Sequence, residues 1–212
     1  MKKKGLLIVV SGFAGTGKGT VMKGLLAKYS EQYALSVSMT TRAPRPMERN
    51  GVEYFFADKE TFEAKIAQDG FVEYACYCDN YYGTPKDYVE EQLNAGKDVL
   101  LEIEIQGALQ VKEKLPETVL VFIMPPSVSE LYGRLKGRGT ETDEVIRQRM
   151  LRASEESQGI EQYDYILVND DIDTCVESLH QMIQSEKQRA FRNTEFIERI
   201  RKEFVDLRKG EI

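Results

Sequence analysis

The stretch Leu6-Leu7-Ile8-Val9-Val10-Ser11-Gly12-Phe13-Ala14-Gly15-Thr16-Gly17-Lys18-Gly19-Thr20 decides the fold. It opens on an unbroken apolar run, the pattern of a strand buried on both faces. Ser11-Gly12 ends the run, and a helix is predicted from about Lys18, with Val21, Leu25 and Leu26 turned inward. A glycine-rich turn between a buried strand and a helix is the setting of a phosphate-binding P-loop. Glycines let the backbone turn tightly enough for several N–H groups to converge on one anion. The helix N-terminus adds partial positive charge, and Lys18 adds a full charge for the β- and γ-phosphates of a nucleotide. The candidate cradle is therefore Gly12, Phe13, Ala14, Gly15, Thr16, Gly17, Lys18, Gly19 and Thr20.

One position departs from the usual motif. The residue after the lysine is commonly Ser or Thr, whose hydroxyl contacts magnesium. Here it is Gly19, and the hydroxyl comes one place later at Thr20. This ending resembles the version found in adenylate kinases. It leaves open whether Thr20 meets the metal directly or through water.

Outward from this stretch, four more short apolar runs read as strands: Ala34–Ser38, Val99–Glu104, Val119–Met124 and Tyr165–Val168. They alternate with helical patterns, which predicts an α/β fold with a parallel sheet flanked by helices. Pro125-Pro126 stops one strand, and Ser127 with Glu130 makes a capping-box start for a helix bearing Leu131 and Leu135. Residues 50–82 break the rhythm with Glu53-Tyr54-Phe55-Phe56 and a tyrosine-rich stretch, which reads as a small β-rich insertion with one helix at Thr61–Asp69. Thr84-Pro85 opens a further helix that stops at Gly96. Lys136-Gly137-Arg138-Gly139-Thr140 is cationic and glycine-rich, the composition of a mobile lid. Ile197, Ile200, Phe204 and Leu207 make the tail an amphipathic helix. The expected division is one folding unit: a core at about 5–37, 85–132 and 150–184, an insertion at about 38–84, a lid at about 133–149 and a tail at about 185–212.

Composition excludes several classes. Of 212 residues, 42% are hydrophobic and 30% charged, which suits a globular chain and not a disordered one. The net charge of −6 lacks the basic footprint of a nucleic-acid binder. Cys76, Cys78 and Cys175 are too few for a disulfide framework and point to a reducing, cytoplasmic compartment. His180 is the only histidine, which argues against a His-based triad or a His-rich metal site. No run is long enough for a membrane span, and Leu6–Val10 is too short for a leader.

A second chemical signal lies after the second strand: Ser36-Val37-Ser38-Met39-Thr40-Thr41-Arg42-Ala43-Pro44-Arg45-Pro46. Paired arginines at the carboxyl edge of a sheet suggest a phosphate clamp, since a guanidinium binds phosphate through two parallel hydrogen bonds. A solvated basic loop is the plainer alternative on spacing alone. The stretch is similar to the guanylate kinase signature, a serine-rich strand end running into T-T-R-x-P-R. Asn50-Gly51-Val52-Glu53-Tyr54, Phe71-Val72-Glu73, Asn80-Tyr81-Tyr82-Gly83-Thr84, Glu102-Ile103-Glu104-Ile105-Gln106-Gly107, Arg134 with Arg138-Gly139-Thr140-Glu141-Thr142, and Val168-Asn169-Asp170-Asp171 come in that family's order. The resemblance covers roughly residues 5–184.

What the resemblance implies is transfer of the γ-phosphate of ATP to GMP or dGMP, with Mg²⁺. Arg42, Arg45, Tyr54 and Tyr82 would hold the GMP phosphate, and Glu73, Ser38 and Thr84 would read guanine. A carboxylate suits guanine, whose N1–H and N2 amino group are adjacent donors. Adenine presents a lone pair there and would leave the site unpaired. Glu102 and Glu104, expected on one face at a strand end, would accept from the guanine amino group or from magnesium-bound water. The family usually has aspartate at the second position. Lys18, Arg42, Arg138 and Arg149 would be catalytic, Arg134 and Arg138 would reach ATP from the lid, and Asn169 would touch adenine. Asp170-Asp171 would cap a helix from Ile172. Two other readings stand beside this one. A related peptide-binding module of scaffold proteins would lack the P-loop lysine, and a kinase for another monophosphate would lack Glu73. The tail could pack on its own subunit, join subunits into a homo-oligomer or do neither.

Overall fold

The computed structural model describes residues 4–77, 79–137, 139 and 142–209. The opening apolar run forms β1 (Leu7–Gly12), and α1 (Lys18–Lys28) comes next across the glycine-rich turn. After these lie β2 (Tyr33–Leu35), β3 (Met39–Thr40), β4 (Phe55–Phe56), α2 (Lys59–Ala67), β5 (Phe71–Tyr77) and β6 (Asn80–Pro85). The middle of the chain forms α3 (Lys86–Asn94), β7 (Asp98–Glu102), α4 (Ile105–Lys114), β8 (Val119–Met124), α5 (Val128–Gly137) and α6 (Asp143–Glu156). The chain closes with β9 (Tyr165–Val168), α7 (Ile172–Lys187) and α8 (Thr194–Lys209).

Two sheets result. A five-stranded parallel sheet runs β2-β7-β1-β8-β9, with β1 at its centre. In register, Leu7 pairs with Val99 and Val9 with Leu120. Alternation along β1 sends Leu7 and Val9 to one core and Ile8 and Val10 to the other. The first core is closed by α3 to α6 through Val89, Val111, Leu131 and Ile146. The second is closed by α1 and α7 through Val21, Leu25, Val176 and Leu179. Apolar burial on both faces is why these strands read as continuous hydrophobic runs. The second sheet, β4-β3-β6-β5, is mixed: β3 is parallel to β4 and antiparallel to β6.

Three local expectations needed correction. β2 ends at Leu35, not Ser38. Ser36 N–H still bonds Leu100 O, but the carbonyl of Ser38 already accepts from Phe55 N–H of the second sheet. The chain therefore changes sheets within two residues, and Ser38 sits between them. β7 stops at Glu102, so Glu102 and Glu104 do not share a strand face. Glu104 is instead the residue before α4, because helical structure starts at Ile105. The helix in the insertion begins earlier than expected, since the Asp58 side chain accepts from Thr61 N–H and caps it.

The single histidine has a packing role. His180 of α7 stacks on Tyr29 at 3.9 Å, and its Nδ1 lies 2.7 Å from Tyr33 Oη, joining α7 to the α1–β2 side. Buried Asp98 accepts from Leu6 N–H and pairs with Lys187 at 2.6 Å. Past α7, buried Glu186 binds Arg189 and Arg192, fixing the path into α8. No residue of α8 is buried, and Phe196, Phe204 and Leu207 remain exposed. No helix among the described residues is long and apolar enough to cross a membrane.

Candidate active site

Two clefts meet at the carboxyl ends of β1 and β7. The first, of about 730 Å³, is lined by the glycine-rich turn, Lys18, Gly19 and Thr20, and by Val145, Gln148, Arg149 and Arg152 of α6 across from it. The second, of about 410 Å³, runs between the two sheets and touches Ser36, Ser38, Glu53, Tyr54 and Thr84. Lys18, Glu102 and Glu104 line both. Lys18 Nζ lies 3.7 Å from Glu102 Oε1, so the ammonium is held at the junction.

The turn owes its shape to backbone freedom and to internal bracing. Gly15 and Gly17 have φ of +96° and +82°, a region that suits glycine. Thr16 is fully buried and its hydroxyl donates to Phe13 O. Asn169, at the end of β9, is buried and donates to Thr16 O at 2.7 Å. Arg134 of α5 donates to Asn169 O at 2.9 Å and pairs with Glu130. Asn169 thus braces the turn, a contact that sequence spacing did not reveal. A Cβ on Gly17 would lie 2.6 Å from Asn169 Nδ2. Gly17→Ala therefore combines a strained φ with a clash, and we expect it to lower the urea midpoint, costing about 1–3 kcal/mol. An unchanged midpoint would show that the loop adapts freely.

Tyr54 and Thr84 line the second cleft, and each belongs to a group of side chains packed behind that lining. Arg42 lies over the Tyr54 ring at 5.5 Å, and Tyr54 meets Tyr82 edge to face at 6.1 Å. Arg42 also binds Glu48, while Arg45 is exposed. On the other side Glu73 of β5 is buried, and Thr84 Oγ1 donates to it at 2.7 Å. Burial raises the Glu73 pKa, opposed by the Thr84 hydrogen bond. Its Oε2 faces Gly107, where an added Cβ would stand 3.6 Å away. Glu104 pairs with Arg152, which also binds Glu156 at 2.9 Å. Arg152, Gln148 and Tyr77 line the first cleft but were not expected there; Gln148 and Arg149 stand four and three residues before Arg152 in α6, which is the only hint the sequence offered. Arg138 lies outside the described residues.

Magnesium suits these donors. Thr20 offers a hydroxyl and Glu102 and Glu104 carboxylates, all oxygen and too few to cage the ion without water and phosphate. Among the described residues no cluster of three or more His, Cys, Asp or Glu side chains could hold a metal alone.

A strand, a glycine-rich turn with its lysine and a helix, set in a parallel sheet beside two joined clefts, define an α/β protein with the geometry that can receive an anion at a helix N-terminus. The guanylate kinase family model matches residues 4–186. Guanylate kinase of Caldanaerobacter subterraneus subsp. tengcongensis is 49% identical over 205 residues, 97% of this chain and 99% of that protein. Guanylate kinase of Latilactobacillus sakei is 50% identical over 189 residues, 89% and 93% respectively. Among solved structures, guanylate kinase from Anaplasma phagocytophilum superposes with a TM-score of 0.69 at 33% identity, over 90% of each chain. The chain belongs to the guanylate kinase family.

Proposed function

We propose that the chain transfers the γ-phosphate of ATP to GMP, and to dGMP, by direct in-line displacement. The observation that carries this is Lys18, which lines both clefts and sits at their junction. ATP occupies the first cleft, with its phosphates on the backbone of residues 12–20 and Arg134, Arg138 and Arg149 on the lid side. GMP occupies the second. Arg42, Arg45, Tyr54 and Tyr82 take its phosphate, and Glu73, Ser38 and Thr84 take its base. Glu102 and Glu104 border both.

Such a transfer asks the protein for alignment and charge neutralisation more than for covalent chemistry. Lys18 and the arginines neutralise charge as it spreads over the transferring group. When bound, Mg²⁺ would screen the triphosphate and polarise the γ-phosphate; Thr20, Glu102 and Glu104 are the residues that would hold it or its waters. Asn169 holds the loop at Thr16 and, as the family resemblance implies, would touch the adenine of ATP. Exposed Cys76 and buried Cys175 are free thiols, which supports a reducing cytoplasmic setting. A coupled assay with ATP and each nucleoside monophosphate in turn tests the reading. GMP should be used far better than AMP, CMP or UMP; equal use of AMP would overturn it.

A further inference from the structure

The Arg42–Pro46 segment carries two arginines three residues apart, and like charges at that spacing would splay an unsupported loop. The structure shows what opposes this. Arg42 Nη2 points at both carboxylate oxygens of Glu48, at 3.0 Å each. Arg42 Nη1 donates to Ala43 O at 2.7 Å. The same Glu48 carboxylate accepts from Arg45 N–H at 2.7 Å, while Glu48 N–H donates to Arg45 O at 3.1 Å. Glu48 therefore grips the side chain of one arginine and the backbone of the other. Both Arg42 and Glu48 are largely buried, with side chains 17% and 16% exposed. The turn that delivers Glu48 is strained: Met47 has a φ of +75° and is 95% exposed. A non-glycine residue held there, with no packing to explain it, marks a backbone pinned by the Glu48 contacts next to it.

We propose that Glu48 is a positioning residue for the monophosphate: it presets the Arg42 guanidinium over Tyr54 and beside Tyr82, and so lowers the ordering cost of binding the GMP phosphate. This rests on the proposed activity. Arg42 spends one nitrogen on Glu48 and another on Ala43 O, and the guanidinium also bonds Tyr82, so the cation is held beside the two tyrosines where the phosphate is proposed to sit. The Arg45 N–H, and then Arg42 itself, hold the Glu48 carboxyl below the usual carboxylate range, so it stays charged near neutral pH. A long flexible arginine that is already fixed loses less freedom on binding than one that must be ordered.

The test compares Glu48→Gln and Glu48→Ala with wild type in direct binding of GMP and of guanosine, which has the base but no phosphate. The positioning role predicts GMP affinity lower by about tenfold or more in both variants, with guanosine binding within about twofold of wild type. Glu48→Asp, one methylene short but charged, should recover part of the loss. Unchanged or tighter GMP binding would overturn the proposal, tighter binding meaning that the carboxylate competes with the phosphate. A parallel loss of guanosine would also overturn it, because the defect would then be collapse of the insertion. If Glu48→Ala does not fold, near-isosteric Glu48→Gln carries the test alone. Wild-type turnover of GMP tests the activity separately from the variants' GMP-to-guanosine ratio.

Discussion

Lys18→Ala is expected to fold normally and to lose turnover by about a hundred- to a thousandfold, in line with removal of one preorganised charge from a transition state. Its folding should be nearly untouched. The one ionic partner of Lys18 among the described residues is Glu102, whose side chain is 42% exposed and can be hydrated when the ammonium is gone. Exposed pairs of this kind contribute little to stability. The loop keeps its other braces, Thr16 to Phe13 and Asn169 to Thr16. The kinetic effect is therefore large while the thermal midpoint barely moves. Steady-state turnover with saturating ATP and GMP, beside a melting curve, is the measurement. Turnover within a few-fold of wild type would remove Lys18 from the chemistry.

Glu73→Gln is expected to reduce GMP turnover at limiting substrate by about a hundredfold, while AMP changes little, so the GMP preference shrinks. The variant keeps an acceptor for Thr84 but places an amide donor where the second carboxylate oxygen faced Gly107. Guanine's paired donors would then meet one acceptor and one donor. Burial adds a pH effect. Desolvation raises the Glu73 pKa, so the carboxyl of the empty protein starts to protonate above the ordinary glutamate range as pH falls. Guanosine binding should weaken over that window, and the glutamine variant should show no such limb. The stability sign is the reverse. An acid with a raised folded pKa adds stability below its unfolded pKa, and this is lost as pH rises through the folded value. Glu73 is thus a cost at neutral pH, and Glu73→Gln should melt higher there. If guanosine binding has the same pH profile in both proteins, guanine is read elsewhere.

Much of the core was legible because the chain states it twice, once in apolar period and once in turn chemistry. Val119–Met124 and Tyr165–Val168 are strands at the bounds their apolar runs suggested, and Lys18 opens α1 as the glycines implied. Asp171 caps α7 by accepting from Thr174 N–H. Glu73 and Thr84 come together because antiparallel β5 and β6 carry them side by side, which the tyrosine-rich stretch only suggested. The hidden part depends on contacts between distant segments. Nothing near Asn169 in sequence announces that it bonds Thr16 O. Glu104 comes after a strand closely enough to pass as part of it, and only the start of α4 at Ile105 decides otherwise. Glu48 carries no motif or spacing signal, and only its turn places it on Arg42.

The central place of β1 also bears on how the chain must come off the ribosome. β1 is the first strand made, yet its neighbours begin at Asp98 and Val119, roughly ninety and more residues later. Until β7 emerges, Leu7 to Val10 have no strand to pair with, and until β8 follows one edge of β1 stays open beside the glycine-rich turn. Pairing across such separations carries a loop-closure cost that delays it. The second sheet, complete by Pro85, needs none of those later strands for its own pairing. The side of the clefts built on the second sheet therefore has the means to order first during synthesis, and the side built on the parallel sheet last. A nascent chain released before β7 would expose an unpaired, highly apolar strand, the kind of segment that chaperones bind and that aggregates when they do not.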